Sequence, residues 1–349
     1  MSLTSIISRY RDDYEKHYHG TISNAQTHAL NAILQCRSGR YGKMHLDCFE
    51  CGVHDEQNHS CGHRFCHRCQ HHDTMAWVDR QQRKLLPVDY FLVTFTLPKQ
   101  LRKLAFQHQT TVFSLLFDCA ASTLKSFMAN DKGLSAEAGM TAVLHTHSRR
   151  LDFHPHIHVV IPSGGINTKQ NCWTQKNQDY LFRQKNLARV FRARMLHSLR
   201  EAGFTLPLDL PRKWIVDCRH TGRGLSAIKY LSRYLYKGVI SDKQIVHDDG
   251  TFVTFKFVCS DTGRWKKRRL QGHKFLRLLF RHVLPKGFRR ARDYGFLHGN
   301  AKIKLQRVQL ILRVVIKPIA TIVRADFLCR KCSRPMTITA FVKPVSDYG

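Results

Sequence analysis

Residues 152–161, Asp-Phe-His-Pro-His-Ile-His-Val-Val-Ile, alternate polar and apolar side chains. Because alternate side chains of a β-strand project to the same side, His156 and His158 would lie next to each other on one face. The opposite face would be apolar and would cover a core, through Ile157, Val159 and Ile161. The pattern therefore predicts a strand with two imidazoles on one side and a buried second side.

Two imidazoles that are two residues apart on a strand can chelate a divalent cation, with a third ligand from a neighbouring element. Met140 to His147 is predicted as the preceding strand, and the polar turn at 148–152 would return the chain so that His145 lies opposite the pair. Asp152, His154 and a residue of a later helix are alternatives for the third ligand. A lone His-x-His is more often only a polar strand face, but the apolar opposite face favours a metal site here.

The segment from Leu225 to Lys237 predicts an amphipathic helix. Its apolar stripe is formed by Ile228, Leu231 and Leu235. Tyr230 and Tyr234 are four residues apart, so both emerge on one face of the helix, one turn from each other. Arg233 and Lys237 lie beside them as candidate phosphate partners. Taken alone, such a pair would more simply be two tyrosines at the margin of a core.

The remaining pattern mixes strands and helices without a regular strand–helix–strand alternation, which indicates the α+β class. Further strands are predicted at 90–97, 214–218 and 251–258, and further helices at 74–85, 101–128 and 180–202, with helical spacing also before residue 35.

The charge balance of the 349-residue chain is strongly basic, with 57 Lys and Arg against 25 Asp and Glu and a formal net charge of +32. Such a field binds polyanions with a steep salt dependence, which favours nucleic acid over a small metabolite, and an anionic membrane surface is the weaker alternative. The N-terminal residues contain no apolar signal region, and the apolar stretch from Val308 to Val323 is interrupted by Arg313 and Lys317. We therefore expect no signal peptide, no membrane span and a cytoplasmic protein.

Six of the twelve cysteines lie between residues 36 and 69, which indicates metal binding rather than a disulfide framework. A Cys-x2-Cys knuckle directs two thiolates at one centre, and two knuckles complete the tetrahedron that Zn²⁺ prefers. The predicted first zinc site consists of Cys48, Cys51, Cys66 and Cys69. A second site could be formed by Cys36 and Cys61, with His45 or His63, and the spacing leaves the pairing open.

A second Cys-x2-Cys pair, Cys329 and Cys332, lies near the end of the sequence. It fits half of a zinc ribbon, a truncated tail or two free thiols, and we assign no site to it.

The histidine pair and the tyrosine pair together suggest phosphodiester chemistry. A phenol with a pKa near 10 is a poor nucleophile at neutral pH, and a metal and nearby basic groups lower that barrier. Attack of a tyrosine oxygen on phosphorus gives a covalent phosphotyrosine and a free sugar hydroxyl. The new ester retains the energy of the broken bond, so rejoining needs no ATP, and we expect no nucleotide cofactor because no Walker loop occurs.

Several motifs occur in order along most of the chain. They are CRSG…CFECG…SCGHRFCHRCQ in the cysteine-rich part, LLPVDYFLVTFTLP, LHT at Leu144–Thr146, HPHIHVVIPSGG, YLSRYLYKG, and HVLPKGFRRARDYGFL at His282–Leu297. With these motifs the chain resembles the two-tyrosine HUH transposases of rolling-circle insertion sequences, the IS91 type. An ordered set with compatible spacing is more specific than any one of its motifs.

The resemblance implies an HUH-endonuclease fold, in which a central antiparallel sheet carries the histidines and is flanked by helices, one of which bears the tyrosines. His156 and His158 would be the metal pair, with Mg²⁺ or Mn²⁺ as the cation. Tyr230 and Tyr234 would be alternating nucleophiles that hold the 5′ end of a cut strand. The partners would be single-stranded DNA of the element's ends and target DNA, which the protein would join by a rolling-circle-like route. We expect a bacterial cytoplasmic protein that is associated with the nucleoid.

One departure from that family pattern is His147, which occupies a position where an aromatic residue is expected, near the predicted third ligand His145. Two other functions fit part of the pattern. One is a plasmid relaxase or rolling-circle replication initiator with the same chemistry, which the zinc module and the LPKGF segment disfavour by resemblance. The other is a non-enzymatic, zinc-dependent DNA-binding protein in which the histidine strand is incidental.

We therefore divide the chain into N-terminal helices with a zinc-binding domain (1–85), an HUH catalytic domain (86–262) and a basic C-terminal DNA-contact region (263–349). In the last of these, Trp265 and Phe288 could stack on unpaired bases, although a charge run is equally often a solvated face. The candidate DNA-contact residues are Arg233, Lys237, Arg264, Lys266, Arg268, Arg289 and Arg290.

Overall fold

The computed structural model describes residues 2–177, 179–236, 239–259, 261–315 and 327–343. The chain forms two compact units. The terminal unit consists of Met1–Ala76, Tyr236–Val283 and Pro318–Gly349, and the central unit consists of Trp77–Leu235 and Leu284–Lys317. The boundaries expected at 85 and 262 do not coincide with these units. Residues of the predicted C-terminal region are instead distributed between both.

The described strands and helices are numbered along the chain. The strands are β1 (Lys43–Asp47), β2 (His54–Asn58), β3 (Tyr90–Thr96), β4 (Met140–His147), β5 (Phe153–Pro162), β6 (Gly164–Asn167), β7 (Cys172–Gln175), β8 (Val216–His220), β9 (Ile245–Asp248), β10 (Phe252–Val258), β11 (Trp265–Gln271), β12 (Ala291–Tyr294), β13 (Phe327–Leu328) and β14 (Pro335–Val342). The α-helices are α1 (Leu3–His17), α2 (Asn24–Leu34), α3 (His71–Gln82), α4 (Arg102–Gln107), α5 (Gln109–Asn130), α6 (Gln184–Glu201), α7 (Leu225–Tyr236), α8 (Gly272–Phe280) and α9 (Lys302–Ile311).

The central unit is built on a five-stranded antiparallel sheet in the order β12-β4-β5-β3-β8. This arrangement confirms the predicted α+β class with a central antiparallel sheet. The long strand β5 lies in the middle and pairs with β4 on one side and β3 on the other. In this register His156 lies opposite His145 of β4, and His158 lies opposite Thr94 of β3. The histidines are therefore in the centre of the sheet, on one face.

The other face of this sheet is the core of the central unit, as the alternating pattern predicts. The side chains of Ile157, Val159 and Ile161 are fully buried there. They belong to one apolar cluster with residues of α5 and α6, in which the rings of Phe95 and Phe191 lie 4.9 Å apart. Because β-branched and aromatic residues fill this side, the polar side of β5 is fixed in register.

The segment 101–128 is predicted as one helix, and the structure divides it at His108. This residue has φ −123° and ψ 50°, so α4 ends there and α5 begins on a new axis. By length and hydropathy α5 is the one helix in the described part of the chain that could cross a membrane. The sequence pattern predicts no membrane span. Residues such as Val112, Leu116 and Leu124 of α5 are fully buried in the core of the central unit, as in a domain's core helix.

The described residues of the terminal unit form two antiparallel sheets, one in the order β13-β14-β1-β2 and one in the order β11-β10-β9. Helix α1 packs on α8 through the side that the helical spacing predicts. Ile6, Ile7, Tyr10 and Tyr14 are all buried, and Tyr14 contacts Phe280 with 5.8 Å between ring centroids. The first sheet joins β14, from the end of the described chain, to β1 near its beginning.

Candidate metal and tyrosine site

Three histidines of the central sheet form a compact cluster. His156 and His158 lie on β5, and His145 lies directly opposite His156 on β4. One ring nitrogen from each histidine can be chosen so that all lie within 4.8 Å of one another. The ring centroid of His145 is 5.1 Å from that of His156 and 4.4 Å from that of His158. Three imidazoles at this spacing are a donor set suited to one divalent cation.

Hydrogen bonds to the Nδ1 atoms orient two of these rings. His156 Nδ1 lies 2.6 Å from the backbone oxygen of His154, and since a carbonyl only accepts, this nitrogen carries the proton. His158 Nδ1 lies 2.8 Å from the hydroxyl oxygen of Thr94. In both rings Nε2 is then the nitrogen left for a metal. Partners of this kind fix the tautomer and the orientation of metal-binding histidines.

Burial keeps the cluster neutral. His145 and His158 are only 2% and 7% exposed, and burial lowers the pKa of both well below the usual value. Burial also lowers the pKa of His156 to about 4. A metal ligand must be unprotonated, and the cluster meets that condition throughout the neutral range.

Tyr230 of α7 lies on the histidine side of the sheet. Its ring centroid is 5.8 Å from that of His158 and 6.4 Å from that of His145. Ile228 and Leu231 are buried, as predicted for the apolar stripe of this helix. Tyr234 belongs to α7 one turn later. The side chains of Arg233, Tyr234 and Leu235 lie outside the described part of the structure, as does the whole of Lys237.

Arg102 is a member of this site that the sequence analysis did not identify. It begins α4, and its guanidinium donates a hydrogen bond of 2.8 Å to Nδ1 of His154. The His154 ring is 5.3 Å from that of His156, and the charge of Arg102 contributes, after burial, to the lowered pKa of both histidines. The motif TLPKQLR is a weak sequence signal for the position of Arg102, because Pro98 closely follows the end of β3 and a helix must start nearby. The spacing of residues in the sequence does not predict which strand the first turn of that helix contacts.

The predicted DNA-contact residues are divided between the units. In the terminal unit, Arg264 and Lys266 are exposed at the start of β11, and Arg268 is half-buried. Trp265 is 61% exposed, with the Lys256 Nζ atom 5.4 Å from its ring centroid.

In the central unit, Arg289 is exposed and Arg290 is half-buried next to β4. The backbone oxygen of Arg290 accepts a 2.9 Å hydrogen bond from Leu144, and its charge is one of the influences that lower the pKa of His145. The stacking role expected for Phe288 is wrong. This ring is buried in the core, 5.9 Å from Phe113.

Eight cysteines of the terminal unit form two groups of four, and neither group is the predicted set. One group consists of Cys36, Cys61, Cys66 and Cys69, and the other of Cys48, Cys51, Cys329 and Cys332. The two knuckles expected to share one zinc therefore belong to different groups. The grouping differs from the prediction because β14 pairs with β1, which brings the Cys329–Cys332 knuckle beside the Cys48–Cys51 knuckle.

The two histidines considered as zinc ligands lie outside both cysteine groups. His45 Nε2 is 3.7 Å from a carboxylate oxygen of Glu56, and the His63 ring is 5.2 Å from that of His28.

Family models match the cysteine-rich N-terminal part of the chain and the part that contains the histidines and tyrosines. The family model "Transposase zinc-binding domain" matches residues 6–97, and the model "Putative transposase" matches residues 139–304. The "Putative transposase y4qJ" of Sinorhizobium fredii is 32% identical over 321 residues, which are 85% of this chain and 80% of that protein. The chain belongs to the IS91-type family of transposases. This membership confirms the resemblance drawn from the motifs.

The transposase is also similar to the transposase for insertion sequence element IS801 of Pseudomonas savastanoi pv. phaseolicola. The two are 26% identical over 370 residues, covering 95% of this chain and 87% of that protein. Among solved structures, the conjugative relaxase TrwC in complex with oriT DNA, in its metal-bound form, is 16% identical with a TM-score of 0.30. That match covers 66% of this chain and 74% of the relaxase. Residues 6–97, which match the zinc-binding family model, include all the cysteines of the N-terminal cluster.

Proposed function

We propose that this transposase cleaves and rejoins single-stranded DNA through a 5′-phosphotyrosine, as an HUH-type endonuclease and strand transferase in rolling-circle-like transposition. The observation that carries the proposal is the position of the Tyr230 ring beside the histidine cluster, 5.8 Å from the ring of His158. A nucleophile and a metal site must address the same phosphate, and only side chains this close can do so.

The proposed metal site consists of His145, His156 and His158. Its donor set is all nitrogen, neutral and partly oriented by hydrogen bonds, which fits one divalent cation. The choice of Mg²⁺ or Mn²⁺ comes from the family resemblance and not from the donor set. When bound, the cation supplies Lewis-acid polarisation of the scissile phosphodiester. The histidines therefore serve as ligands, and their low pKa values make them poor proton carriers at neutral pH.

The chain's own chemistry is carried by the tyrosines. The phenolic oxygen of Tyr230 or Tyr234 attacks the phosphorus and forms a P–O bond, while the bond from phosphorus to the 3′ oxygen breaks. The phenol loses its proton to solvent and the released 3′ oxygen takes one up, so a 3′-hydroxyl and a 5′-phosphotyrosine result. In the reverse step a 3′-hydroxyl attacks the phosphotyrosine, the two strands are joined, and the tyrosine regains its proton.

Cations hold the strand in this scheme. Arg102 donates to His154 beside the histidine cluster, and the backbone of Arg290 accepts a hydrogen bond from Leu144, next to His145. We assign both arginines as partners for oxygens of the scissile phosphate or its neighbours. The exposed Arg264, Trp265 and Lys266 of the terminal unit offer phosphate contacts and one stacking surface to the DNA. The net charge of +32 accounts for the bulk of the affinity, which positions DNA without selecting its sequence. With these partners the transposase would act in the bacterial cytoplasm, at the nucleoid.

The test is a labelled single-stranded oligonucleotide from an end of the element, incubated with the protein and Mn²⁺ and then denatured. We expect a covalent protein–DNA adduct and a shortened free strand. The double variant Tyr230→Phe, Tyr234→Phe should form no adduct, whereas Tyr180→Phe, an exposed tyrosine of the same unit, should form it normally. An intact oligonucleotide under all metal conditions, or an adduct that survives in the double variant, would overturn the proposal.

A further inference from the structure

Four cysteines from the beginning and the end of the described chain meet in the terminal unit. The sulfurs of Cys48 and Cys332, which are 284 residues apart in sequence, lie 3.4 Å from each other. The sulfur of Cys51 is 3.5 Å from that of Cys48 and 3.5 Å from that of Cys329. All four sulfurs lie within 4.8 Å of one another. The family model for the zinc-binding domain ends at residue 97 and therefore does not include the two late cysteines.

The spacing of these sulfurs is that of metal ligands. Zinc–sulfur bonds of about 2.3 Å in a tetrahedron place the sulfurs about 3.8 Å apart. A disulfide would bring two of them to about 2.05 Å. The observed separations of 3.4 and 3.5 Å are close to the edge of the zinc tetrahedron and far from any bridge.

The two Cys-x2-Cys turns have the same backbone hydrogen bonds. At the early turn, Cys48 N donates to Val53 O at 2.9 Å, and Gly52 N donates to Cys48 O at 2.8 Å. At the late turn, Cys329 N donates to Arg334 O and Ser333 N donates to Cys329 O, both at 2.8 Å. The fifth residue of each turn is left-handed, with φ +70° at Gly52 and +58° at Ser333. Both turns are therefore built as one kind of knuckle, and the late turn accepts strain at a non-glycine residue to make it.

The strand that carries the late knuckle has little apolar packing. Of the residues in β14 only Met336 is buried, and the apolar cluster around it contains just Leu46, Cys48 and Cys329 as further buried members. Backbone pairing with β1 and β13 holds β14 in the sheet. A core of this size is too small to support a folded element in water, and small domains of this kind depend on a structural metal.

We propose that Cys48, Cys51, Cys329 and Cys332 bind one structural Zn²⁺ and form a discontinuous zinc ribbon whose second half is supplied by the end of the described chain. This site is separate from the group of Cys36, Cys61, Cys66 and Cys69. The metal fastens β14 to β1, so the N-terminal module of the transposase is complete only after the chain has been synthesised as far as Cys332. The inference does not depend on the DNA chemistry proposed above.

Metal content of the purified full chain tests the stoichiometry. We expect two zinc ions per chain in the unchanged protein and one in the double variant Cys329→Ser, Cys332→Ser. The variant Cys51→Ser, at the other end of the sequence, should lose the same single ion. The matched control Cys172→Ser, Cys259→Ser changes two cysteines outside both groups and should keep two ions.

Hydrogen exchange measured by mass spectrometry tests which strands the metal stabilises. In both zinc-site variants, the peptides covering β1 and β14 should exchange faster by at least tenfold, while the peptide covering β5 of the central unit should be unchanged. If the double variant Cys329→Ser, Cys332→Ser retains two zinc ions, or loses both, the proposal of an independent ribbon site is contradicted. Equal protection of β14 with and without the late cysteines also contradicts it, even if the zinc content falls.

Discussion

The two kinds of proposed metal site in this transposase are built in opposite ways. The histidine cluster takes its three members from β4 and β5, which are neighbours in sequence and in the sheet. The ribbon cluster joins cysteines that are 284 residues apart. The histidines are held by a large apolar core, whereas the apolar core of the ribbon contains only four buried residues. If both clusters bind metal as proposed, the ribbon depends on its metal for folding and the central sheet does not. Loss of metal should therefore stop the chemistry in one place and unfold the structure in the other.

The sharpest challenge to this contrast is the double variant His156→Ala, His158→Ala. Loss of the cation removes several kcal/mol of charge stabilisation, so cleavage should fall about a thousandfold or more. Because the apolar side of β5 is untouched, the thermal unfolding of the central unit should stay within a few degrees of the unchanged protein, and two zinc ions should remain bound. Gel-based cleavage rates, differential scanning calorimetry and metal analysis measure the three quantities. A variant that loses activity only together with the fold of the central unit would contradict a catalytic role for this pair.

The next effect in size is expected for Arg102→Ala. If the guanidinium contacts the scissile phosphate, its loss should lower the cleavage rate about 10²-fold, and Arg102→Lys should recover part of it. Affinity for Mn²⁺ should not weaken, since Arg102 contacts His154 and not the three proposed ligands, and its positive charge near His156 disfavours a second cation there. Arg149→Ala, an exposed cation of the same unit, is the control and should cleave normally. Weaker Mn²⁺ binding with an unchanged rate at saturating metal would assign Arg102 to the support of the metal site instead.

A smaller change is expected for Thr94→Val, which removes the hydroxyl next to Nδ1 of His158 and conserves the shape of the side chain. Loss of such a partner usually weakens metal affinity by about ten- to a hundredfold. Cleavage should therefore need more Mn²⁺ for half-maximal rate and should reach nearly the same maximum. A titration of rate against Mn²⁺ concentration separates the two quantities. An unchanged half-maximal concentration would show that Thr94 does not orient this ring.

The smallest effects should come from the two left-handed residues of the ribbon. Ser333→Gly relieves a φ of +58°, and Gly52→Ala imposes the same strain at +70° in open space, each by about 1 kcal/mol in opposite directions. The first variant should hold zinc against a competing chelator more strongly than the unchanged protein, and the second less strongly. Matching shifts would support two equivalent knuckles. A shift at Gly52 alone would mean that the late turn is not held in this conformation.

Much of the central unit follows from local pattern. The strands at 90–97, 140–147 and 154–161 and the tyrosine helix at 225–237 are found within a few residues of their predicted ends. Strands and helices of this kind are specified by the period of their apolar residues, which a single segment displays by itself. His145 could be placed near the pair for the same reason, because a short turn between adjacent strands fixes which residues lie opposite each other.

The errors concern contacts across long distances in sequence. Every Cys-x2-Cys spacing in the chain is equally able to bind zinc, so the pattern did not distinguish the partner at residue 66 from the partner at residue 329. Phe288 is an aromatic residue in a basic run, and its burial depends on the helix α5 that covers it. Arg102 was missed because its neighbour His154 is 52 residues away.

The sequence by itself determined the alternation of β5, the stripe of α7, the basic charge and the presence of zinc knuckles, since each is a property of a short segment or of composition. Three features follow only from the tertiary structure: which cysteines lie together, the position of Arg102 beside the histidines, and the addition of β12 from the late chain to the central sheet. These features depend on which distant segments become neighbours. The packing of the whole chain determines which segments become neighbours, and the spacing of apolar residues within one segment does not contain that information.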